Sequence, residues 1–374
     1  MRFNMRQPPV RFLLPLLAFA LLRPAVAMAQ DYSSGYGPLP VFEFHSGFWV
    51  NLHHTLYYEA RQRSASSSPP QRATEGPQLK RKTTKEAAKS LSPAEQIAWS
   101  TAVAFYAAHY ADKDLLFNTD LMLLKNQLED FEDCDELSGA HKKTCDAGLP
   151  AGLTRVLDAA APVYRAHLWP EQDLANRRWI ARVAPLVIEQ GVGVSQRLAD
   201  IYQTKWPTEK IRVDVSAYAN AAGAYTTLDP LRVTISSTDP RNQGNEAFEV
   251  LFHEASHGIA EPVQEAIIRE CRQFGKAIPR DLWPALILYT TGEVIKPLLP
   301  TPDNGPQVKQ GGADSGSDET PAPQRETYTT SEIREELNKR GWDDYYELLL
   351  RFWQPYLENK STFDDAIARI VSAL

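Results

Sequence analysis

Ile211-Arg-Val-Asp-Val-Ser-Ala-Tyr218 alternates apolar and polar residues, as a half-buried strand does. Ala224-Tyr-Thr-Thr227 and Arg232-Val-Thr-Ile-Ser-Ser237 repeat the pattern with β-branched residues, and Asp229-Pro230 between them is a turn signal. Immediately downstream, Val250-Leu-Phe-His253-Glu254-Ala-Ser-His257-Gly258 switches to helical spacing, with Phe248, Leu251 and Phe252 as its apolar positions. Asp239, Asn242 and Asn245 are expected caps, and Gly258 an expected stop.

Working outward, the rest reads as helix. Ser92-Pro93-Ala-Glu95 opens one, with Ile97, Ala98, Ala102, Val103 and Tyr106 at helical spacing. Further helices are expected at 115–131, 154–167, 172–190, 192–203, 282–294, 331–338, 342–357 and 363–374. The fold class is therefore α+β, predominantly α-helical, with a small β-sheet just before one helix. Low-complexity segments at about 61–92 (Ser64-Ala-Ser-Ser-Ser-Pro-Pro70) and 300–325 (Gly311-Gly-Ala-Asp-Ser-Gly-Ser-Asp318) lack the apolar content to order themselves. Residues 30–374 otherwise read as one domain.

The first 29 residues read as an export signal. Arg2, Arg6 and Arg11 precede an apolar run from Phe12 to Leu22, and Ala27-Met28-Ala29 is a small-x-small cleavage site before Gln30. No later run of about 18 uncharged apolar residues is available to span a bilayer. The expected location is periplasmic or extracellular. The 374 residues carry a net charge of −7, and removal of the signal's arginines makes the chain more acidic still. That disfavours nucleic acid as a partner, since such binding rests on neutralising phosphates. Export permits a disulfide between Cys134 and Cys145, whereas Cys271, in an apolar helical pattern, reads as a buried free thiol.

His253-Glu254-Ala-Ser-His257 carries the chemistry. Positions i and i+4 of a helix share one face, so both imidazoles can point at one ion, with Glu254 beside a water on that ion. Neutral imidazole and carboxylate suit a single Zn2+. The motif resembles that of the zincin metallopeptidases, over residues 211 to 297. The resemblance implies a zincin-like core, with the motif on an active-site helix beside a sheet edge that takes an extended peptide or protein substrate. Ala255 departs from it, standing where those enzymes usually carry a larger apolar residue. Ala260 and Val263 occupy positions where the metzincin subgroup has Gly and His, which excludes that subgroup.

A third ligand is then required. Glu261 would extend the series to i+8, about 12 Å along one helix, too far for one ion; Glu265 is further still, and Asp281 reads as a helix cap. Glu293 stands alone in Leu286-Ile-Leu-Tyr-Thr-Thr-Gly292-Glu293-Val-Ile, where an ionised carboxylate needs a partner. A Glu on a second helix is the gluzincin arrangement, so the chain looks gluzincin-like, although Pro297 replaces the Asp that some gluzincins carry four residues on. The ligand set expected is His253, His257 and Glu293, with Glu254 as general base. Tyr289, one turn before Glu293, is a candidate oxyanion donor or a core residue. His45, His53 and His54 lie in an aromatic-rich run (42–58) that reads as a packed core helix, with one of them alternatively facing the cleft. The expected activity is exported zinc-dependent peptide hydrolysis. The alternatives are a non-catalytic exported helical protein with a structural or vestigial metal site, and a zinc hydrolase acting on something other than peptides.

Overall fold

The computed structural model describes residues 41–66, 91–138, 148–299 and 330–374. The export signal, Cys145 and most of both low-complexity segments lie outside the described residues.

Four strands form one mixed sheet: β1 (Phe42–His45), β2 (Ile211–Ser216), β3 (Ala224–Leu228) and β4 (Leu231–Ser236), in the order β1-β2-β4-β3. β1 and β4 run parallel to β2, with Phe44 and Val233 both beside Val213. β3 is antiparallel to β4 and closes the edge, Thr226 facing Val233. The three expected strands are present, and the turn between β3 and β4 falls at Asp229-Pro230. β1 departs from the expected helix over 42–58. The parallel ladder with β2 satisfies the backbone of residues 42–45, and α1 (Phe48–Ser66) begins only after Gly47. α1 also runs to Ser66, so residues 61–66 are helical where low-complexity chain was expected.

Alternation along the strands divides the interior in two. Val213, Val215, Val233 and Ile235 point into a core with α5 (Trp169–Ile201), α6 (Gly244–Ser256), α7 (Glu261–Gln273), α8 (Leu282–Ile295) and α12 (Phe363–Ala373). Tyr225 points the other way, into a second core with α1, α2 (Pro93–His109), α3 (Thr119–Glu129) and α4 (Ala151–His167). Trp49, Leu52, Tyr57 and Tyr106 are fully buried there. Ser92 and Glu95 form the capping box that opens α2. α3 is shorter than expected, because Asn118 caps it by accepting from Leu121 N. α5 is one helix where two were expected. Gly191 does not end it: the absent side chain admits Val41, whose Cγ2 would lie 3.1 Å from a Cβ.

The second core holds polar groups in pairs, with His53 Nε2 left buried without a hydrogen-bond partner. Lys125 Nζ lies 2.7 Å from Glu129 Oε1, and Arg232 also pairs with Glu129. The Tyr225 hydroxyl donates to His54 Nε2 at 2.9 Å, while His54 Nδ1–H donates to Val50 O at 2.8 Å. His53 Nδ1 lies 3.0 Å from the Tyr106 hydroxyl. His53 and His54 are thus core residues. His45 Nδ1 pairs with Glu132 at 2.9 Å.

The remaining C-terminal elements are α9 (Thr330–Lys339), α10 (Asp343–Leu348), a π turn at Leu349–Trp353 and α11 (Gln354–Leu357). α9 and α10 both pack on α8. Among the described residues, no helix is long and apolar enough to cross a membrane. Cys271 is a buried free thiol, as expected. Cys134 is buried, and its carbonyl accepts from Trp49 Nε1 at 2.8 Å.

Candidate metal centre

α6 is aimed by the loop before it rather than by a side-chain cap of its own. Asp239 accepts from Arg241 N at 2.9 Å and closes the short 3-10 turn Pro240–Asn242. Asn242 Nδ2 donates to Gly223 O at 2.8 Å and Ser236 O at 3.0 Å, tying that turn to both strands of the hairpin. The expected caps Asp239 and Asn242 therefore act one turn earlier; the N-cap of α6 is Gln243.

Ala247, Phe248, Leu251, Phe252 and Ala255 bury one side of α6 completely. The Phe252 ring packs 5.0 Å from Phe42 and 5.8 Å from Trp206, centroid to centroid. This fixes the rotation of the helix, so that Glu246, Glu249, Val250, His253 and Glu254 line a cavity of about 240 Å³. Ala255 fits that packing: its small side chain lies on the buried side.

His257 is the C-cap and keeps right-handed helical angles (φ −56°, ψ −33°), so the i, i+4 relation survives to the end of the helix. The His253 and His257 rings are 5.0 Å apart and nearly perpendicular. One ligand atom from each of His253, Glu254 and His257 lies within 4.8 Å of the others. Trp283 stands edge-on to His257 at 5.2 Å.

Both imidazoles are held neutral. Burial lowers His253 most, with the charges of His257 and Arg340 acting the same way. Burial also lowers His257; Glu254 opposes that shift and Arg340 adds to it. A metal ligand must be unprotonated, and these two are so at neutral pH. His253 Nδ1 is buried without a hydrogen-bond partner. A buried polar nitrogen left unpaired costs about 1–3 kcal/mol. The donor set and the unpaired nitrogen both fit a divalent zinc ion.

Glu254 is oriented from the sheet. The Thr226 hydroxyl, on edge strand β3, lies 2.7 Å from Glu254 Oε2 and 2.8 Å from Glu254 O. The strand-rich segment before the helix is thus in contact with the motif.

Glu293 and Tyr289 are placed elsewhere. The Glu293 carboxylate is not part of the His253–Glu254–His257 group; its Oε1 lies 3.9 Å from Lys296 Nζ. The Tyr289 hydroxyl donates to Gln354 Oε1 at 2.7 Å. The reason is helical phase. Leu288 is the α8 residue that lines the cavity, and Glu293, five residues on, is rotated about 140° from it. Asp281 is the N-cap of α8, without a side-chain capping bond, and Glu261 opens α7; neither joins the group.

α9 and Arg340, the residue just past its end, supply what the sequence did not announce. Glu335, Glu336, Lys339 and Arg340 line the cavity with His253 and Glu254. Glu336 Oε1 accepts from Arg340 Nε at 2.9 Å. These residues follow a low-complexity segment and carry no motif; only their polar character on an amphipathic helix sets them apart.

Comparison with protein-family models, with curated proteins and with solved structures finds no match.

Proposed function

We propose that this protein is an exported zinc-dependent metallopeptidase. The single observation behind this is the group of His253, Glu254 and His257, gathered within 4.8 Å, with His253 and Glu254 lining a cavity and Glu254 in contact with the edge strand of a sheet. In this reading, His253 and His257 hold one zinc ion. Zinc, when bound, supplies positive charge that lowers the pKa of a water and polarises the scissile carbonyl. Glu254 takes the proton from the attacking water and later delivers it to the leaving amine. β3 offers the edge along which an extended peptide adds. Export rests on the sequence of residues 1–29.

The third protein ligand, in this proposal, comes from α9. Glu249 is four residues before His253 and eight before His257, so it fails on the same reach as Glu261. Glu336 stands, like Glu293, outside the His253–Glu254–His257 group, but it comes from a separate helix and lines the same cavity, and in this proposal it is the third ligand in place of Glu293. Arg340, whose charge bears on both imidazoles, is the oxyanion stabiliser in this proposal, in place of Tyr289.

The test is zinc content and hydrolysis of fluorescein-labelled casein by the purified protein and by Glu254→Gln. The expected result is stoichiometric zinc in both and hydrolysis only by the parent. Zinc without hydrolysis in the parent supports the metal-holding, non-catalytic alternative; absence of zinc overturns the reading.

A further inference from the structure

We infer that Thr226 is a positioning residue for Glu254: its hydroxyl holds the carboxylate of the proposed general base from the edge strand. This rests on the peptidase reading and deepens it. Strand alternation turns Thr226 toward α6, whereas Tyr225 and Thr227 turn toward the opposite core. Thr226 is 5 % exposed, so water does not compete for its hydroxyl. The oxygen sits 2.7 Å from Glu254 Oε2, the short distance of a charge-assisted O–H···O contact.

A glutamate has three side-chain torsions, and one that accepts and redelivers a proton must keep one oxygen aimed at the reacting water. The one Thr226 hydroxyl proton is shared between Glu254 Oε2 at 2.7 Å and Glu254 O at 2.8 Å, which engages Oε2 and leaves Oε1 for that task. Glu254 also lines the cavity where substrate would lie. The strand that offers its edge to substrate is also the strand that fixes the base, so the register of the hairpin sets both at once. Gly223 anchors that register. Its φ is +87°, and a Cβ there would lie 2.2 Å from Asp239 Oδ2, the residue that closes the turn leading into α6.

The experiment compares the zinc-loaded parent with Thr226→Val, which keeps the shape and removes the hydroxyl, and Thr226→Ser, which keeps the hydroxyl. Hydrolysis of fluorescein-labelled casein gives kcat and KM; chelator competition gives zinc affinity. A second readout needs no turnover: 13C NMR of metal-free protein labelled at the glutamate carboxyl carbon, with the Glu254 resonance assigned by its loss in Glu254→Gln. Thr226→Val is expected to lower kcat by about 10–100-fold, the range seen when a group that orients a functional ligand is removed, with KM and zinc affinity within about twofold. The Glu254 resonance moves in Thr226→Val and stays in Thr226→Ser, which retains near-parent kcat. An active parent whose kcat survives Thr226→Val overturns the inference and leaves the peptidase reading standing, as does an unmoved resonance. An inert parent overturns the peptidase reading, and the catalytic meaning of the contact with it.

Discussion

Leu231 packs directly on the bare backbone of Gly258. A Cβ on Gly258 would lie 2.5 Å from Leu231 Cδ2 and 2.6 Å from Cδ1. The first residue of β4 is thereby locked against the chain one position beyond His257. Gly258→Ala is expected to force Leu231 aside and to cost about 1–3 kcal/mol, the usual range for overpacking. Urea denaturation measures it. Because His257 is the adjacent residue, zinc affinity should fall in the same variant; an unchanged midpoint would show that Leu231 yields freely.

The histidine pair should be indispensable to the metal. Two protein ligands in total hold zinc poorly, so loss of one of the pair leaves too few. His253→Ala and His257→Ala are each expected to abolish stoichiometric zinc, whereas Glu254→Gln keeps it. Metal analysis after gel filtration decides, and undiminished zinc in either alanine variant removes the site.

The metal-free protein should lose stability in mild acid. Burial lowers His54 to about 4 and His53 well below its ordinary value. Both are neutral when folded and protonate near pH 6.5 when unfolded. Their contribution is therefore complete above about pH 6.5, declines as pH falls below it, and levels off only below the folded-state values. Between pH 6.5 and about 4 the unfolded chain binds the extra protons, at up to about 1.4 kcal/mol per pH unit per histidine. Urea titrations from pH 7 to pH 4 should show a shallower pH slope in His53→Leu than in the parent. Equal slopes would mean that His53 is already protonated in the folded protein.

What the sequence reveals follows from how local each signal is. The hairpin and the motif helix were legible because alternation, a turn dipeptide and i, i+4 spacing each lie within a few residues. β1 was not legible. Phe42–His45 pairs with residues about 170 positions away, and its aromatic residues fit a helix face equally well. Gly191 looked like a helix end, and only the proximity of Val41 explains why the helix passes through it. The His253–Glu254–His257 group was readable for the same local reason, whereas the oxygen that orients Glu254 comes from another element. A lone acid in an apolar helix, as Glu293 is, needs a partner, and in the structure that partner is Lys296. The phase of α8 depends on α9 and α10 packing against it, which no single-helix pattern contains.

That phase yields the sharpest prediction. Leu288 of α8 lines the cavity with His253 and Glu254, and so do Glu335 and Glu336 of α9. Glu336 is held at 2.9 Å by Arg340, the residue whose positive charge lowers both His253 and His257. Glu336 thus meets the cavity from α9 beside Arg340, whereas Glu293 lies near Lys296 and is not among the residues that line that cavity. Glu336→Gln removes the charge and keeps the shape. It is expected to weaken zinc at least tenfold, about 1.4 kcal/mol, while Glu293→Gln leaves the affinity within about twofold. Chelator competition on both variants measures the difference. The opposite order, with Glu293→Gln the damaging change, would return the third ligand to α8 and require that helix to rotate when zinc binds.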